Sequence, residues 1–187
     1  MGIKNLAIVQ ARMGSVRFPG KVLKKINNKS LIEILLARLS QSKYIDKIIL
    51  ATSVNSVNDK LSQDVKALGY DVFRGSEDNV LERYYLAAKQ YNPSTVIRIT
   101  GDCPIIDPIL VDQVVGMYMK NDVDYVSNNH LPTYPDGLDT EVFSFKALEI
   151  SWQEANKDYE LAIRDETSVL FFKVPWKEIT HKNTKSY

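Results

Sequence analysis

The sequence is poor in cysteine, and it has no long apolar run. Cys103 is the only cysteine among the 187 residues. A disulfide within the chain is therefore impossible, and a reducing compartment is expected. The longest apolar runs fall well short of the roughly 20 residues that a membrane-spanning helix needs. The apolar stretch from Leu6 to Val9 is too short for a signal peptide and is soon followed by Arg12. We therefore expect a cytoplasmic protein without a membrane partner.

Net charge is also nearly absent. The chain carries 24 Lys and Arg against 23 Asp and Glu, which gives a formal charge of +1. No overall field would draw in nucleic acid, so a nucleic-acid partner is not expected and any anion site must be local. Hydrophobic residues make up 44% and charged residues 25% of the chain, as in ordinary globular proteins.

Apolar runs of strand length alternate with helical patterns along most of the chain. We predict strands over residues 4–10, 47–52, 71–73, 95–100, 124–127 and 141–145. We predict helices over residues 31–39, 59–68, 79–91, 109–120 and 146–155. This alternation indicates an α/β protein with a mostly parallel sheet and helices on both faces. Ligands of such folds bind beyond the carboxyl ends of the strands, so the loops there are the places to search.

The pattern weakens toward the end of the chain. From Asp158 onward no clear periodicity remains, and the last seven residues are polar. We therefore expect one main domain over residues 1–157. Residues 158–187 are expected to form a C-terminal helical segment with a polar tail.

The loop after the first strand is rich in cations and glycine. It contains Arg12, Gly14, Arg17, Gly20 and Lys21, and it has no acidic residue. Glycines let backbone N–H groups approach an oxyanion, and arginines grip phosphate with two parallel hydrogen bonds. This combination favours a polyphosphate ligand, although it matches neither the Walker A pattern nor GxGxxG. The alternative is a basic surface loop.

A second loop, after the fourth strand, carries a candidate metal ligand. The strand leads into Gly101 and Asp102, and Pro104 then turns the chain. A carboxylate opposite a cationic phosphate loop is well placed for Mg²⁺, which takes one or two protein carboxylates together with substrate phosphates. The alternative role, capping the following helix, suits Asp107 better because that residue directly precedes the helix.

A third segment brings two more carboxylates together. Asp136 lies in a Pro-Asp-Gly sequence, which is a strong turn signal. Asp139 and Glu141 are two residues apart, so in an extended segment both lie on one face. Their repulsion would be relieved by a cation shared with Asp102. The alternative is a turn followed by a solvated strand end.

Two further side chains have more than one interpretation. Arg74 follows the third strand and would reach either an acidic substrate or the base, or else pair with Glu77 or Asp78. His130 follows the fifth strand and would either touch substrate or lie in a surface loop.

Four segments in order resemble one known family. They read VQARMGSVRFPGKVL, VFRGSEDNVLERY, VIRITGDCPIIDP and YPDGLDTEVF, and the resemblance covers about residues 3–147. They are similar to the spore coat polysaccharide biosynthesis protein SpsF family of acylneuraminate and CMP-Kdo synthetase-like cytidylyltransferases. The resemblance implies a Rossmann-like three-layer nucleotide-diphospho-sugar transferase fold. It implies Mg²⁺ as cofactor and transfer of CMP from CTP to a small acidic acceptor, in surface or spore-coat polysaccharide biosynthesis.

The resemblance also assigns roles to residues. Nucleotide-binding positions are Gln10, Ala11, Arg12, Gly14, Ser15, Arg17, Lys21, Ala51, Thr52, Ser53 and Gly101. Acceptor-side positions are Arg74, Arg83, Asp136 and Gly137. Metal positions are Asp102, Asp139 and Glu141, and the catalytic residues are Arg12, Lys21 and Asp102. In the implied reaction the acceptor oxygen attacks the α-phosphorus of CTP, and Arg12, Arg17 and Lys21 stabilise the leaving pyrophosphate.

The sequence departs from the family pattern near its end. Family members carry a stretch with a histidine where residues 164–168 read RDETS, and they continue beyond this length. The end is thus expected to be shortened or diverged, which leaves the acceptor, a homodimer and the activity itself open. One alternative is a glycosyltransferase of nucleotide-diphospho-sugar type, although an Asp-x-Asp motif is missing after the fourth strand. Another is an inactive nucleotide-binding protein.

Overall fold

The computed structural model describes residues 2–15, 18–129 and 134–155, together with the backbone of residues 178–180. The strands are β1 (Asn5–Gln10), β2 (Lys25–Ile26), β3 (Lys29–Ser30), β4 (Lys47–Ser53), β5 (Asp71–Gly75), β6 (Thr95–Thr100), β7 (Tyr125–Ser127), β8 (Glu141–Ser144) and β9 (Glu178–Thr180). The α-helices are α1 (Leu31–Leu39), α2 (Asp59–Ala67), α3 (Val80–Lys89), α4 (Pro108–Lys120) and α5 (Phe145–Ala155). Single 3₁₀ turns cover Lys21–Leu23 and Ser56–Asn58.

Seven of the described strands form one sheet in the order β5-β4-β1-β6-β8-β7-β9. β8 runs antiparallel to both of its neighbours, and every other pairing in this sheet is parallel. The mostly parallel α/β fold is therefore confirmed. β2 and β3 form a separate two-stranded hairpin, whose turn residues Asn27 and Asn28 have φ values of 47° and 65°. Asparagine tolerates this left-handed conformation better than most residues.

The core has two halves, one on each face of the sheet. Alternate side chains of β1 enter opposite halves, with Ala7 and Val9 on one face and Leu6 and Ile8 on the other. Buried residues of α1, α2 and α4 cover the first face, and those of α3 and α5 cover the second. Helices thus lie on both sides of the sheet, as the three-layer prediction requires.

Local capping explains where the helices begin and end. Asp107 accepts hydrogen bonds from the backbone N–H groups of Ile109 (2.8 Å) and Leu110 (3.4 Å), and Pro108 follows as the first residue of α4. This confirms Asp107 as a helix cap. Gly69, with φ of +89°, lies just after α2 in the conformation that glycine favours at helix ends.

Much of the C-terminal part lies outside the described residues. That includes residues 156–177 and 181–187, hence the RDETS stretch at 164–168, and the predicted domain boundary stays a prediction. Within the segment expected to be helical, residues Glu178–Thr180 form β9 and pair in parallel with β7. None of the helices in the described ranges has the length and apolar character that crossing a bilayer requires.

Candidate functional site

A cleft lies at the carboxyl ends of β1 and β6, which is the edge that the sheet topology predicts. From β1 the chain proceeds to β4 and β5 on one side and later returns to β6 on the other, so the strand order reverses between β1 and β6. The cavity has a volume of about 330 Å³. It is lined by Gln10, Ala11, Arg12, Ser15, Lys21, Val22, Arg98, Thr100, Gly101 and Asp102. Seven of these residues are predicted site residues, and Val22, Arg98 and Thr100 are not.

Gly101 allows the two loops that form the cleft to touch. Its backbone N–H donates to the carbonyl oxygen of Gln10 at 2.7 Å. A Cβ atom at Gly101 would lie 2.5 Å from Ala11 Cβ and 2.8 Å from Gln10 O. Such contacts are far below van der Waals distance, so only glycine fits without a shift of one loop.

Two cations of the first loop are already engaged with carboxylates. Lys21 Nζ lies 2.5 Å from Asp102 Oδ2, and Arg12 Nη1 lies 3.2 Å from Glu77 Oε1. Each pair is only partly buried, so solvent weakens it and an anionic ligand can compete for the cation. Arg17 lies outside the described residues. The cleft therefore presents at least two cations and one carboxylate.

A glycine in the left-handed conformation shapes the backbone of the first loop. Gly20 has φ of +68° and precedes the 3₁₀ turn that carries Lys21. Its N–H donates to Met13 O at 2.9 Å. Gly14 has open space around it, since a Cβ there would come no closer than 4.0 Å to Glu77 Oε1. Ser15 lines the cleft, and its hydroxyl accepts from Phe18 N–H at 3.4 Å.

A buried polar network that the sequence did not reveal supports the cationic loop. Asn58 is fully buried; its Oδ1 accepts from Met13 N–H at 2.8 Å and its Nδ2 donates to Ser53 Oγ at 2.7 Å. Ser53 in turn donates to Glu77, the partner of Arg12. The network ties the first loop to the ends of β4 and β5. Ser53 is therefore a member of this network, between Asn58 and Glu77.

Two other predicted residues of β4 are buried. Ala51 and Thr52 have no exposed surface, and Ala51 O accepts from Ala11 N–H at 3.3 Å. Thr52 Oγ1 is buried and has no hydrogen-bond partner among the described residues. These residues lie next to the first loop without lining the cleft, so their contact with a base stays a prediction.

Arg74 is committed to the loop after β4. Its Nε donates to Ser53 O at 3.1 Å, and its Nη2 donates to Val54 O and Asn55 O at 3.1 and 3.0 Å. Its Nη1 pairs with Asp59 Oδ1 at 2.7 Å. The arginine therefore braces this loop. Its ion-pair partner is neither Glu77 nor Asp78, and the acceptor-side role does not fit this geometry.

Arg83 is also structural. It is 2% exposed, and its Nη1 donates to the backbone carbonyls of Ser76 and Glu77. A guanidinium enclosed in this way supports the turn before α3 and does not line the cleft. The acceptor-side prediction for Arg83 therefore does not fit the structure.

Asp102 and Asp139 have pKa values shifted in opposite directions. Burial would raise the pKa of Asp102, but the hydrogen bond and charge of Lys21 outweigh it and hold the pKa below its ordinary value. The pKa of Asp139 is raised, first by burial and then by the nearby charges of Asp136 and Glu141, with a smaller contribution from Asp102. Burial is thus the main cause, and the neighbouring carboxylates add a smaller electrostatic contribution that a cation would offset.

The turn that carries Asp136 lies beside the loop after β6. Gly137 has φ of +93°, and a Cβ there would lie 3.9 Å from Ile105 Cγ1. Asp136 is exposed. The turn-forming role of the Pro-Asp-Gly sequence fits this geometry, and contact of either residue with an acceptor stays a prediction. His130 lies outside the described residues.

Glu141 does not fit its prediction as a metal ligand. It is 1% exposed, and its carboxylate forms an ion pair with Arg98. It also accepts from Tyr125 Oη at 3.1 Å and from Asn129 Nδ2 at 3.0 Å. Three protein groups thus engage the Glu141 carboxylate, and this arrangement disfavours its prediction as a metal ligand. Within the described ranges, no group of three or more His, Cys, Asp or Glu side chains is arranged to hold a metal.

The family follows from comparison with known proteins. A protein-family model described as "Cytidylyltransferase" matches residues 6–174. This range covers most of the chain, and the chain belongs to the cytidylyltransferase family.

Individual relatives agree with this assignment. The spore coat polysaccharide biosynthesis protein SpsF of Bacillus subtilis is 37% identical over 82% of this chain and 65% of its own length. An uncharacterised protein of Methanocaldococcus jannaschii is 42% identical over 84% of this chain and 64% of its own. The chain thus spans just under two thirds of the length of these relatives. A solved cytidylyltransferase structure from Leptospira borgpetersenii superposes with a TM-score of 0.87 at 31% identity, over 97% of this chain and 77% of that one.

Proposed function

We propose that this protein transfers CMP from CTP to a small acidic acceptor, with release of pyrophosphate. One observation carries the proposal: Arg12, Lys21 and Asp102 meet in one cleft at the strand-order switch of a chain that belongs to the cytidylyltransferase family. Family membership supports the nucleotide and the reaction class. The acidic acceptor rests on the resemblance to acylneuraminate and CMP-Kdo synthetase-like enzymes. A role in polysaccharide biosynthesis is suggested by the name of the SpsF relative.

The cationic side chains of the first loop suit the stabilisation of pyrophosphate as the leaving group. Arg12 and Lys21 would exchange their present carboxylate partners for phosphate oxygens of CTP, and Arg17 of the same loop would join them. Guanidinium and ammonium groups hold phosphate by short charge-assisted hydrogen bonds. Held beside the β- and γ-phosphates, they would stabilise the charge that develops on pyrophosphate as the bond to the α-phosphorus breaks.

The contact between the two loops that form the cleft matters for the same step. Gly101 and the carbonyl of Gln10 hold the two loops together at 2.7 Å. This contact brings the cationic first loop and the loop that carries Asp102 to one cavity. Once Lys21 has released Asp102, a phosphate in this cavity would face both loops without rearrangement of the backbone.

We propose Mg²⁺ as the cofactor, held by Asp102 and Asp139. Two carboxylates with substrate phosphates match the ligand preference of this ion. The charges of Asp136 and Glu141, which add to the effect of burial in raising the pKa of Asp139, are ones that a cation would offset. When bound, the ion would supply positive charge at the α- and β-phosphates. Lys21 would then release Asp102 and turn to the nucleotide.

Pyrophosphate release tests the proposal. The protein is incubated with Mg²⁺, each of the four nucleoside triphosphates, and a panel of sugar acids that includes 3-deoxy-manno-octulosonate and N-acetylneuraminate. We expect release that needs both CTP and one of the acids. Release with UTP in place of CTP would contradict the choice of base. CTP binding without release in any combination would favour an inactive nucleotide-binding protein.

The glycosyltransferase alternative predicts a different outcome. Such an enzyme would bind a nucleotide-diphospho-sugar and release a nucleoside diphosphate. No observation in the described part of the chain favours it over the family assignment. A nucleoside diphosphate released from a sugar nucleotide, without pyrophosphate from CTP, would establish it.

A further inference from the structure

Asn58 is a fully buried polar side chain outside every motif of the sequence. It ends the 3₁₀ turn that follows β4 and directly precedes α2. An asparagine in this place usually accepts a hydrogen bond from a backbone N–H group in the first turn of the helix. The side chain of Asn58 forms its hydrogen bonds elsewhere, which points to a role beyond the start of α2.

A comparison with α3 makes this difference clear. Asn79 precedes α3 in the same way, and its Oδ1 accepts from Glu82 N–H at 2.8 Å. All residues of α2 are described, yet none of its N–H groups donates to the side chain of Asn58. Helix capping therefore does not explain why an amide is buried here, and a buried amide needs other partners.

Both polar atoms of the Asn58 amide have such partners. Its Nδ2 donates to Ser53 Oγ at 2.7 Å and, more weakly, to Asn55 O at 3.4 Å. These two contacts fix the amide on the segment after β4. Its Oδ1 then accepts from the backbone N–H of Met13 at 2.8 Å, across a separation of 45 residues. The amide thus joins the segment after β4 to the first loop.

Met13 is the residue at which the two ends of the first loop meet. Its carbonyl oxygen accepts from Gly20 N–H at 2.9 Å. Arg12 directly precedes Met13, and Lys21 directly follows Gly20. Each of the two cations therefore stands next to a peptide group whose position depends on Met13. The single hydrogen bond from Asn58 to Met13 N–H helps to place both.

The side chain of Arg12 is tied to the same network by a second route. Glu77 accepts from Arg12 Nη1 at 3.2 Å and from the Ser53 hydroxyl, which in turn accepts from Asn58. Binding of a phosphate would break the first of these contacts, because Arg12 would exchange Glu77 for phosphate oxygens. The bond between Asn58 and Met13 involves neither cationic side chain. It would hold the loop backbone both before and after a phosphate binds.

We infer that Asn58 is a positioning residue of the nucleotide site, which holds the first loop where Arg12 and Lys21 can bind the β- and γ-phosphates. The inference rests on the proposed function for the assignment of these phosphates to the loop. A loop that is already in place loses little conformational entropy when its ligand binds. Asn58 would therefore raise the affinity for a polyphosphate without touching it.

Calorimetry on the intact protein with three ligands tests this without turnover. CTP, inorganic tripolyphosphate and CMP are titrated separately in the presence of Mg²⁺. Tripolyphosphate has no nucleoside, and CMP has neither a β- nor a γ-phosphate. A residue that acts through the first loop affects the first two ligands and spares CMP, whereas general damage to the fold weakens all three.

The variants separate the contact with Met13 from the stability of the turn. In Asn58→Ser the shorter side chain does not reach Met13, but serine is a favourable residue before a helix and can cap α2. Asn58→Ala is a second variant. Asn55→Ala is the matched control, because Asn55 caps the adjoining 3₁₀ turn by accepting from Val57 N–H at 3.1 Å. Among the described residues, the Asn55 side chain makes no hydrogen bond to the first loop.

We expect Asn58→Ser to raise the Kd for CTP and for tripolyphosphate about tenfold, which is the ordering cost of about two cationic side chains. The Kd for CMP should stay within about twofold. Asn58→Ala should show the same selective loss together with a lower Tm. Asn55→Ala should also lower Tm, through loss of its cap, and leave all three Kd values unchanged.

Four results would overturn the inference. They are unchanged affinity of Asn58→Ser for CTP and tripolyphosphate, an equal loss for CMP, an equal loss in Asn55→Ala, and wild-type protein that binds neither polyphosphate. Pyrophosphate release is measured separately. Normal release from CTP together with any of the first three results refutes this inference alone. Tripolyphosphate binding that depends on Asn58, in a protein that releases no pyrophosphate with any acid, refutes the proposed function alone.

Discussion

Replacement of Gly101 by alanine should damage the site through one methyl group. The new Cβ would lie 2.5 Å from Ala11 Cβ, 2.8 Å from Gln10 O and 3.2 Å from Ala11 Cα. Two of these three atoms belong to the backbone, so rotation of a side chain cannot relieve the overlap. Overpacking of this kind costs about 1–3 kcal/mol. For a protein of this size each kcal/mol lowers Tm by about 2–4 °C.

The assay combines thermal unfolding with CTP calorimetry. We expect Gly101→Ala to lower Tm and to weaken CTP binding, since the loop that carries Arg12 must move away from the loop that carries Asp102. Gly116→Ala is the matched control. Gly116 lies inside α4, where a Cβ would come no closer than 3.7 Å to Tyr44. Alanine there should stabilise the helix by about 0.5–1 kcal/mol and leave CTP binding unchanged.

The opposite signs make the comparison decisive. If Gly101→Ala has the Tm and CTP affinity of the wild type, the two loops do not approach each other as closely as described, and the described contact between Gly101 and Gln10 is wrong. If Gly116→Ala lowers CTP affinity as much as Gly101→Ala does, the effect is global and says nothing about the cleft.

Three further outcomes are expected. Asp102→Asn should lower the rate of pyrophosphate release by about 10²–10³-fold with little change in the unfolding curve, and a near-normal rate would refute its role. Asp139→Asn should also lower that rate but raise Tm near pH 7. A raised pKa means that the folded state disfavours the ionised carboxylate, so stability falls as pH rises through that pKa; an unchanged or lower Tm would contradict this reasoning. The Cys103 thiol should react with a chromogenic disulfide only slowly at pH 7 and faster toward pH 11, since burial, only partly offset by a hydrogen bond with Thr100, raises its pKa to about 11. Rapid reaction at pH 7 in folded protein would be inconsistent with this environment.

The elements that the sequence predicted best are those with strong periodicity. The predicted helix 31–39 and the predicted strand 95–100 coincide with α1 and β6. The β2–β3 hairpin was missed because strands of two residues are too short to show an alternating pattern. The reversed direction of β8 was not predicted either, since direction depends on the route of the chain between strands.

Candidate site residues were predictable where they lie in the loop that follows a parallel strand. Arg12, Lys21 and Asp102 were found because parallel strands deliver the loops at their carboxyl ends to one edge of the sheet. The alternation of side chains placed Glu141 on the same face as Asp139, but it could not show that Arg98 lies directly opposite Glu141 on β6. That information lies in the strand register, which a sequence pattern does not contain.

The supporting network could not be inferred from sequence for a related reason. Asn58 contacts Met13 from 45 residues away, and Glu77 contacts Arg12 from 65 residues away. Neither residue belongs to a motif that signals such a contact. Only the packing of three loops against one another creates the network.

The central claim is that the protein transfers a cytidylyl group, and isotope transfer tests it most directly. Protein, Mg²⁺ and an acid that supports pyrophosphate release are incubated with CTP labelled with ³²P at the α-phosphate. The account predicts that the label moves to a new species containing both the acid and CMP, while the pyrophosphate is unlabelled. Label found only in free CMP, in CDP or in unreacted CTP would contradict it.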